Sequence, residues 1–156
     1  MRNRKSYSVE GALKVLENYC AYQERCHKDV EKKLYDLKMI PEAKEKIILH
    51  LLAHNYLNEE RFAKSFARGK FSIKNWGKRR IINALKIKGI STYNIKVALK
   101  EIEEEDYIIT LNKVAYKKLL LIKENNAFKK RHKLITFLIS KGFETDLVYK
   151  VVKDIL

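Results

Sequence analysis

ALKIKGISTYNIKVALKEI, residues 84–102, decides the fold. Leu85 closes the apolar face of one helix, and Gly89 sits where a helix ends in the left-handed region that glycine enters without strain. Ser91 stands at the N-cap of a second helix, which places Ile95, Ala98, Leu99 and Ile102 on one side. The same phrase sounds twice more, in LYDLKMIPEAKEKIILHLL from Leu34 and in FLISKGFETDLVYKVVKDI from Phe137. Aligning Lys38, Lys88 and Lys141 brings Met39, Gly89 and Gly142 into register, followed by Ile40, Ile90 and Phe143, at offsets of 50 and 53 residues. Behind each junction the apolar positions recur: Ile48, Leu49 and Leu52; Ala98, Leu99 and Ile102; Val151, Val152 and Ile155. Repetition at this spacing marks stacked supersecondary units.

Working outward, each unit gains a further helix in front of the repeated pair. In the middle unit it runs from about Glu59 to Asn75 with Phe62, Ala63, Phe66 and Ile73 as its apolar stripe; Gly77 breaks it, and the next helix starts at Lys78. In the first unit Gly11 precedes a helix carrying Leu13, Leu16, Tyr19 and Cys20, the next carries Val30, Leu34 and Leu37, and Pro41 opens the third. In the last unit the leading helix is long, from about Asp106 to Lys123. The expectation is an all-α chain of tandem three-helix repeats over residues 8–56, 57–102 and 103–156. About nine helices stack in an elongated, curved array, because short helices cannot bury their apolar faces alone.

Composition agrees with this and narrows the function. The 156 residues hold one proline and five glycines, too few turn formers for a sandwich or barrel. No apolar run approaches the ~18 residues of a membrane span, and MRNRKSYSVEG at the N-terminus lacks the apolar core of a signal peptide. Cys20 and Cys26 are too few for a secreted disulfide framework. A cytoplasmic protein with no membrane partner is expected, and a monomer.

The net charge is +15, and two-thirds of the excess lies in residues 58–100, where 12 Lys and Arg face only Glu59 and Glu60. Such a concentrated field attracts polyanions. Arg61, Lys64 and Arg68 form one stripe on the leading helix of the middle unit, and Lys70 and Lys74 continue it. WGKRR then sets Lys78, Arg79 and Arg80 in the first turn of a helix, where the macrodipole is already positive, a placement suited to holding an anion with the free amides of that turn. KKRHK, residues 129–133, repeats the theme in the third unit.

Other constellations carry less. Trp76 either stacks on a base or packs between helices, and its place before a helix-starting glycine favours packing. His50 and His54 have zinc-compatible spacing but lack the glutamate and third ligand of a metalloprotease site. Glu101 and the run Glu103 to Asp106 are nearly consecutive at a helix boundary, unlike the convergent carboxylates of a metal-dependent nuclease. There is no P-loop, GxGxxG or GxSxG. The residues point to a binding protein with no catalytic centre and no metal or other cofactor.

The stretch Tyr56 to Ile102 resembles the signature region of the RecX family. The match is carried by Tyr56-Leu57 and the acidic pair Glu59-Glu60, then Arg61-Phe62-Ala63, a basic helix, Gly77, Arg79-Arg80-Ile81, Leu85 and Lys88-Gly89-Ile90. Asn58 and Glu59 replace two aspartates often found there, and Met39 replaces a glycine common in the first repeat. The resemblance implies a regulatory partner of the RecA recombinase, seated in the groove of RecA–DNA filaments and usually inhibiting strand exchange, ATP hydrolysis and coprotease stimulation. It implies no catalytic residue and no cofactor. On this reading Arg61, Lys64, Arg68, Lys70, Lys74, Lys78, Arg79, Arg80, Lys86 and Lys88 contact RecA or DNA phosphates without sequence specificity. The alternative is a general nucleic-acid-binding helical repeat protein with no RecA partner.

Overall fold

The computed structural model describes residues 6–156, so the basic residues Arg2, Arg4 and Lys5 lie outside the described residues. Among the described residues there are nine helices and no strand. They are α1 (Val9–Tyr22), α2 (His27–Asp36), α3 (Pro41–Ala53), α4 (Glu59–Ser72), α5 (Lys78–Ile87), α6 (Thr92–Leu99), α7 (Glu104–Leu121), α8 (Ala127–Ser140) and α9 (Thr145–Ile155). No helix is long and apolar enough to cross a membrane.

Caps written in the sequence fix many boundaries. The side chains of Ser8, Asn58, Ser91 and Asn126 each accept from the backbone N–H three residues on, and Pro41 opens α3 where its missing N–H has no intrahelical role. Two expected boundaries shift. Gly11 lies inside α1, its N–H held by Ser8, so Ser8 starts that helix. Helix α4 ends at Ser72 because Asn75 takes the left-handed conformation at φ 55°. Ile73 therefore caps the helix as an exposed residue, and Ala67 takes its place in the buried stripe with Phe62 and Ala63.

The three second-helix endings are the same motif. Gly89 at φ 77° and Gly142 at φ 99° are left-handed, and the N–H groups of Ile90 and Phe143 reach back to Leu85 O and Leu138 O. In the first triplet that role falls to Lys38, at φ 57°, with Met39 N–H donating to Leu34 O. Lys38 is thus the counterpart of Gly89, and the first repeat aligns at an offset of 51 residues. The slip of one residue also corrects the core of α3, where Ala43, Ile47 and Leu51 are buried while Leu49 and Leu52 are exposed. Ile47 and Leu51 match Ala98 and Ile102, and Val30 and Leu34 match Ile81 and Leu85.

Two cores result. The first triplet closes on Ala12, Leu16, Cys20, Val30, Leu34, Ile47, Leu51 and Leu57. The second and third triplets share one core, running from Phe62, Ala67 and Leu85 through Tyr107 and Leu111 to Leu138, Phe143 and Val152. Tyr107 stands at its centre, fully buried, its ring stacked on Phe71 and tilted against Phe143. Its hydroxyl accepts from Lys78 N–H at 2.9 Å and donates to Glu144 Oε1, tying the start of α5 to the start of α9. Burial, and then the bond to Glu144, push the Tyr107 pKa well above that of an ordinary phenol.

At the same seam Gly77 meets Gly142 backbone to backbone. Gly77 N–H donates to Lys141 O at 2.8 Å and Arg79 N–H to Gly142 O at 3.0 Å. A Cβ on Gly77 would stand 2.2 Å from Gly142 C and from Phe143 N. Glycine is needed here for proximity, in addition to its role of opening α5 as the N-cap residue.

Candidate nucleic-acid interface

The expected stripe on α4 is present, but internal carboxylates occupy it. Arg61 donates from Nε to Glu24 Oε1 at 2.6 Å and from Nη2 to the carbonyls of Asn55 and Tyr56 at 3.0 and 3.2 Å. It pins the α1–α2 and α3–α4 connections to the second triplet. Lys64 lies 3.1 Å from Glu60 and 3.9 Å from Glu101, and Arg68 lies 3.4 Å from Glu101. Lys78 meets Glu104 at 3.0 Å and covers the Tyr107 ring at 4.5 Å. Glu101, between α6 and α7, and Glu104, in the first turn of α7, are thus partners for these cations, and Glu103 is the N-cap residue of α7.

The other six of the ten candidate cations have no carboxylate within 4.0 Å among the described residues: Lys70, Lys74, Arg79, Arg80, Lys86 and Lys88. Three of the six lie over aromatic rings. Lys88 lies 5.8 Å from the Phe66 centroid, Lys70 5.5 Å from Phe66 and 5.0 Å from Trp76, and the Arg80 guanidinium 4.3 Å from Trp76. Trp76 is half-buried, edge-on to Phe66, so it packs and carries a cation at once.

A further cation belongs here that sequence reasoning missed. Lys141 donates from Nζ to Lys74 O at 2.8 Å across the seam. Its pKa is lowered, first by burial and then by the positive charges of Arg80 and Lys74. Its alignment with Lys88 was visible in sequence; its arrival beside Lys74 required the fold. Between α5 and α8 a groove of about 570 Å³ is lined by Arg79, Arg80, Asn83, Lys86, Ser140 and Gly142, with Ile82 and Ile139 its only apolar side chains.

Two of the anion-holding amides expected at the start of α5 are already used. Lys78 N–H is taken by Tyr107 and Arg79 N–H by Gly142 O, because the third triplet docks there. The KKRHK run also differs from WGKRR in its helical position: α8 begins two residues before Lys129, capped by Asn126, and Lys133 pairs with Glu124 at 3.2 Å.

The other candidates resolve into packing. His50 lies 3.2 Å from Glu17 across α1 and α3, its ring 4.3 Å from that of His54, and His54 ends α3. No group of three potential metal ligands occurs among the described residues. Cys20 and Cys26 are both buried and unlinked.

Comparison with known proteins matches residues 58–99 to the RecX second three-helix domain and residues 104–152 to the RecX third three-helix domain. The chain is 30% identical to the regulatory protein RecX of Finegoldia magna, over 90% of its own length and 69% of that protein. It is 29% identical to that of Clostridium beijerinckii, over 94% and 67%. The chain therefore spans about two-thirds of the length of these relatives. A crystal structure of regulatory protein RecX superposes with a TM-score of 0.84 at 26% identity, over 94% of this chain and 73% of that one. RecX from Lactobacillus salivarius gives a TM-score of 0.82 at 24% identity, over 94% and 95%. The shared domains, the relatives and the common fold lead to one conclusion: this chain belongs to the RecX family of regulatory proteins.

Proposed function

We propose that the protein binds RecA–DNA filaments through the face formed by α4, α5 and the end of α8, and restrains RecA's strand exchange, ATP hydrolysis and coprotease stimulation. The observation that carries this reading is the run of uncompensated cations, Lys70, Lys74, Arg79, Arg80, Lys86 and Lys88, within the domains that match the family. A nucleoprotein filament presents phosphates and acidic side chains together, and a positive face without internal partners suits both. The protein acts by binding, as a cytoplasmic monomer, with no catalytic residue and no cofactor.

The test is RecA's ATPase on single-stranded DNA with and without this protein, alongside an Arg79→Glu, Arg80→Glu double variant whose helical circular dichroism matches the wild type. Suppression by the wild type that is lost in the variant supports the proposal. Unchanged ATPase with the wild type at equimolar amounts refutes it. If bare DNA is still bound tightly and with steep salt dependence, the general nucleic-acid-binding reading takes its place.

A further inference from the structure

Helix α7 carries more apolar surface than its own core uses. Tyr107, Leu111 and Ala115 are fully buried on one side. Val114 and Leu121, seven residues apart, share a different side, next to α8; Val114 is half-buried and Leu121 is 66% exposed. Phe137 meets them from α8, half-buried, with the Lys118 ammonium 4.6 Å from its ring centroid. Two hollows follow this line, one of about 200 Å³ reaching Val114 and one of about 580 Å³ reaching Ile122 and Thr136. Lys118, Leu121 and Phe137 line both, so the two form a single groove between α7 and α8.

No carboxylate lines this groove, and its rim is cationic. Lys117, Lys118 and Lys123 have no carboxylate within 4.0 Å among the described residues. Lys133 is paired with Glu124 at 3.2 Å, and that carboxylate also accepts from Asn126 N–H. Phe137 and Ile139 lie about 200° apart around α8. The groove is therefore on the far side of that helix from the one shared with α5.

Floor and rim together select the occupant. A phosphodiester backbone matches the rim but has nothing to bury against Leu121 and Phe137. A bilayer presents its charge as a plane, whereas this floor lies between two helices. An acidic peptide meets both demands, with a large apolar side chain on the floor and carboxylates at the rim. We propose that the α7–α8 groove docks an acidic protein segment through such an apolar anchor, seated on Leu121 and Phe137, with its carboxylates on Lys117, Lys118 and Lys123. The site is separate from the face formed by α4, α5 and the end of α8, and it does not depend on RecA.

The probe is a fluorescein-labelled peptide of glutamates with two leucines four positions apart, a spacing that sets both on one side of a helix. A second peptide has serine in place of both leucines. Each is titrated with the full chain, following anisotropy for binding and backbone amide shifts for location. The leucine peptide binds and moves the amides of residues 117–123 and 133–140, and the serine peptide binds roughly tenfold or more weakly. Leu121→Ser weakens the leucine peptide about fivefold or more and leaves the serine peptide within about twofold. A Lys117→Glu, Lys123→Glu double variant weakens both peptides roughly tenfold. An Arg79→Gln, Lys86→Gln double variant, altered in the other groove, stays within about twofold of wild type at physiological salt. Leu121, Lys117 and Lys123 are all exposed, and urea midpoints confirm that each variant is folded.

Four results would overturn the proposal: no binding of the leucine peptide at about 1 mM; equal binding of the two peptides; a Leu121→Ser protein that binds like wild type; or an Arg79–Lys86 variant weakened as much as the Lys117–Lys123 variant. An oligothymidylate that displaces the peptide and moves the Leu121 and Phe137 amides in the same way would assign the groove to nucleic acid instead. Vesicles of phosphatidylcholine and phosphatidylglycerol that displace the peptide and lose affinity with Leu121→Ser would assign it to a lipid surface. Peptide docking without RecA suppression removes the filament reading alone. RecA suppression without peptide docking removes this assignment alone.

Discussion

Replacing Gly77 by alanine isolates the backbone-to-backbone contact with Gly142. Gly77 has φ −74° and ψ 163°, which alanine adopts freely, so the cost comes from space and not from the backbone conformation. The new Cβ would stand 2.2 Å from Gly142 C and Phe143 N and 2.4 Å from Gly142 O. All three are main-chain atoms, so no rotamer change relieves the clash and the two triplets must move apart. Overpacking of this kind costs about 1–3 kcal/mol. The movement also strains the bonds from Gly77 to Lys141 and from Arg79 to Gly142, each with a net value of about 0.5–1.5 kcal/mol. The stiffer unfolded chain returns about 0.4–1 kcal/mol, leaving a net loss of about 3 kcal/mol. Gly69→Ala is the matched control: it lies in α4 with nothing within 4 Å of its would-be Cβ. That change should raise stability by about 0.5–1 kcal/mol. Urea unfolding of both variants beside the wild type measures the difference directly. A Gly77→Ala protein within about 0.5 kcal/mol of wild type would refute the contact as described, since ordinary surface substitutions fall in that range.

Tyr107→Phe keeps the buried ring but strands Lys78 N–H and Glu144, and should cost about 1–3 kcal/mol in the same urea assay. The hydroxyl also sets an alkaline dependence. With its folded pKa raised, stability is fully present below the unfolded tyrosine value of about 10 and falls as pH rises beyond it, because only the unfolded chain then releases the proton. Wild type should therefore lose more stability than Tyr107→Phe between pH 9.5 and 11, on the order of a further 1 kcal/mol, read as urea midpoints; parallel curves would count against it. Lys38→Gly removes a side chain from a left-handed position, relieving about 1–2 kcal/mol of strain against about 0.5–1 of added chain entropy. The expected gain is a few tenths to about 1 kcal/mol, seen as a higher melting temperature. Arg61→Ala should cost about 1 kcal/mol and speed amide exchange in the α1–α2 connection, where Glu24 loses its partner.

The range over which each residue acts separates what the sequence disclosed from what it withheld. The α5–α6 junction was legible to the residue because Gly89 and Ser91 act within one turn of their own positions. The first repeat slipped by one because alignment favours glycine at a left-handed site, and Lys38 occupies that site at a cost the string does not display. Gly77 looked like a helix breaker, since Gly142, which requires it, is far along the chain. The charge map behaved in the same way. The excess in the middle third was plain, yet Arg61 is neutralised from 37 residues back and Lys78 from 26 residues ahead. Only the fold separates cations that hold the protein together from those left facing solvent, and it alone brings Lys141 to Lys74.

The division into two cores bears on how the chain is made. The core of the first triplet is complete once Leu57 has been synthesised. The core of the second triplet is continuous with that of the third, in which Tyr107, the partner of the Phe71 ring, and Phe143 come later. At ~5–20 residues per second, the stretch from Leu99 to Phe143 takes roughly two to nine seconds to emerge. Throughout that interval a nascent chain carries its most positive segment attached to an unfinished apolar face. The ribosome, itself a dense polyanion, is the first surface that segment meets.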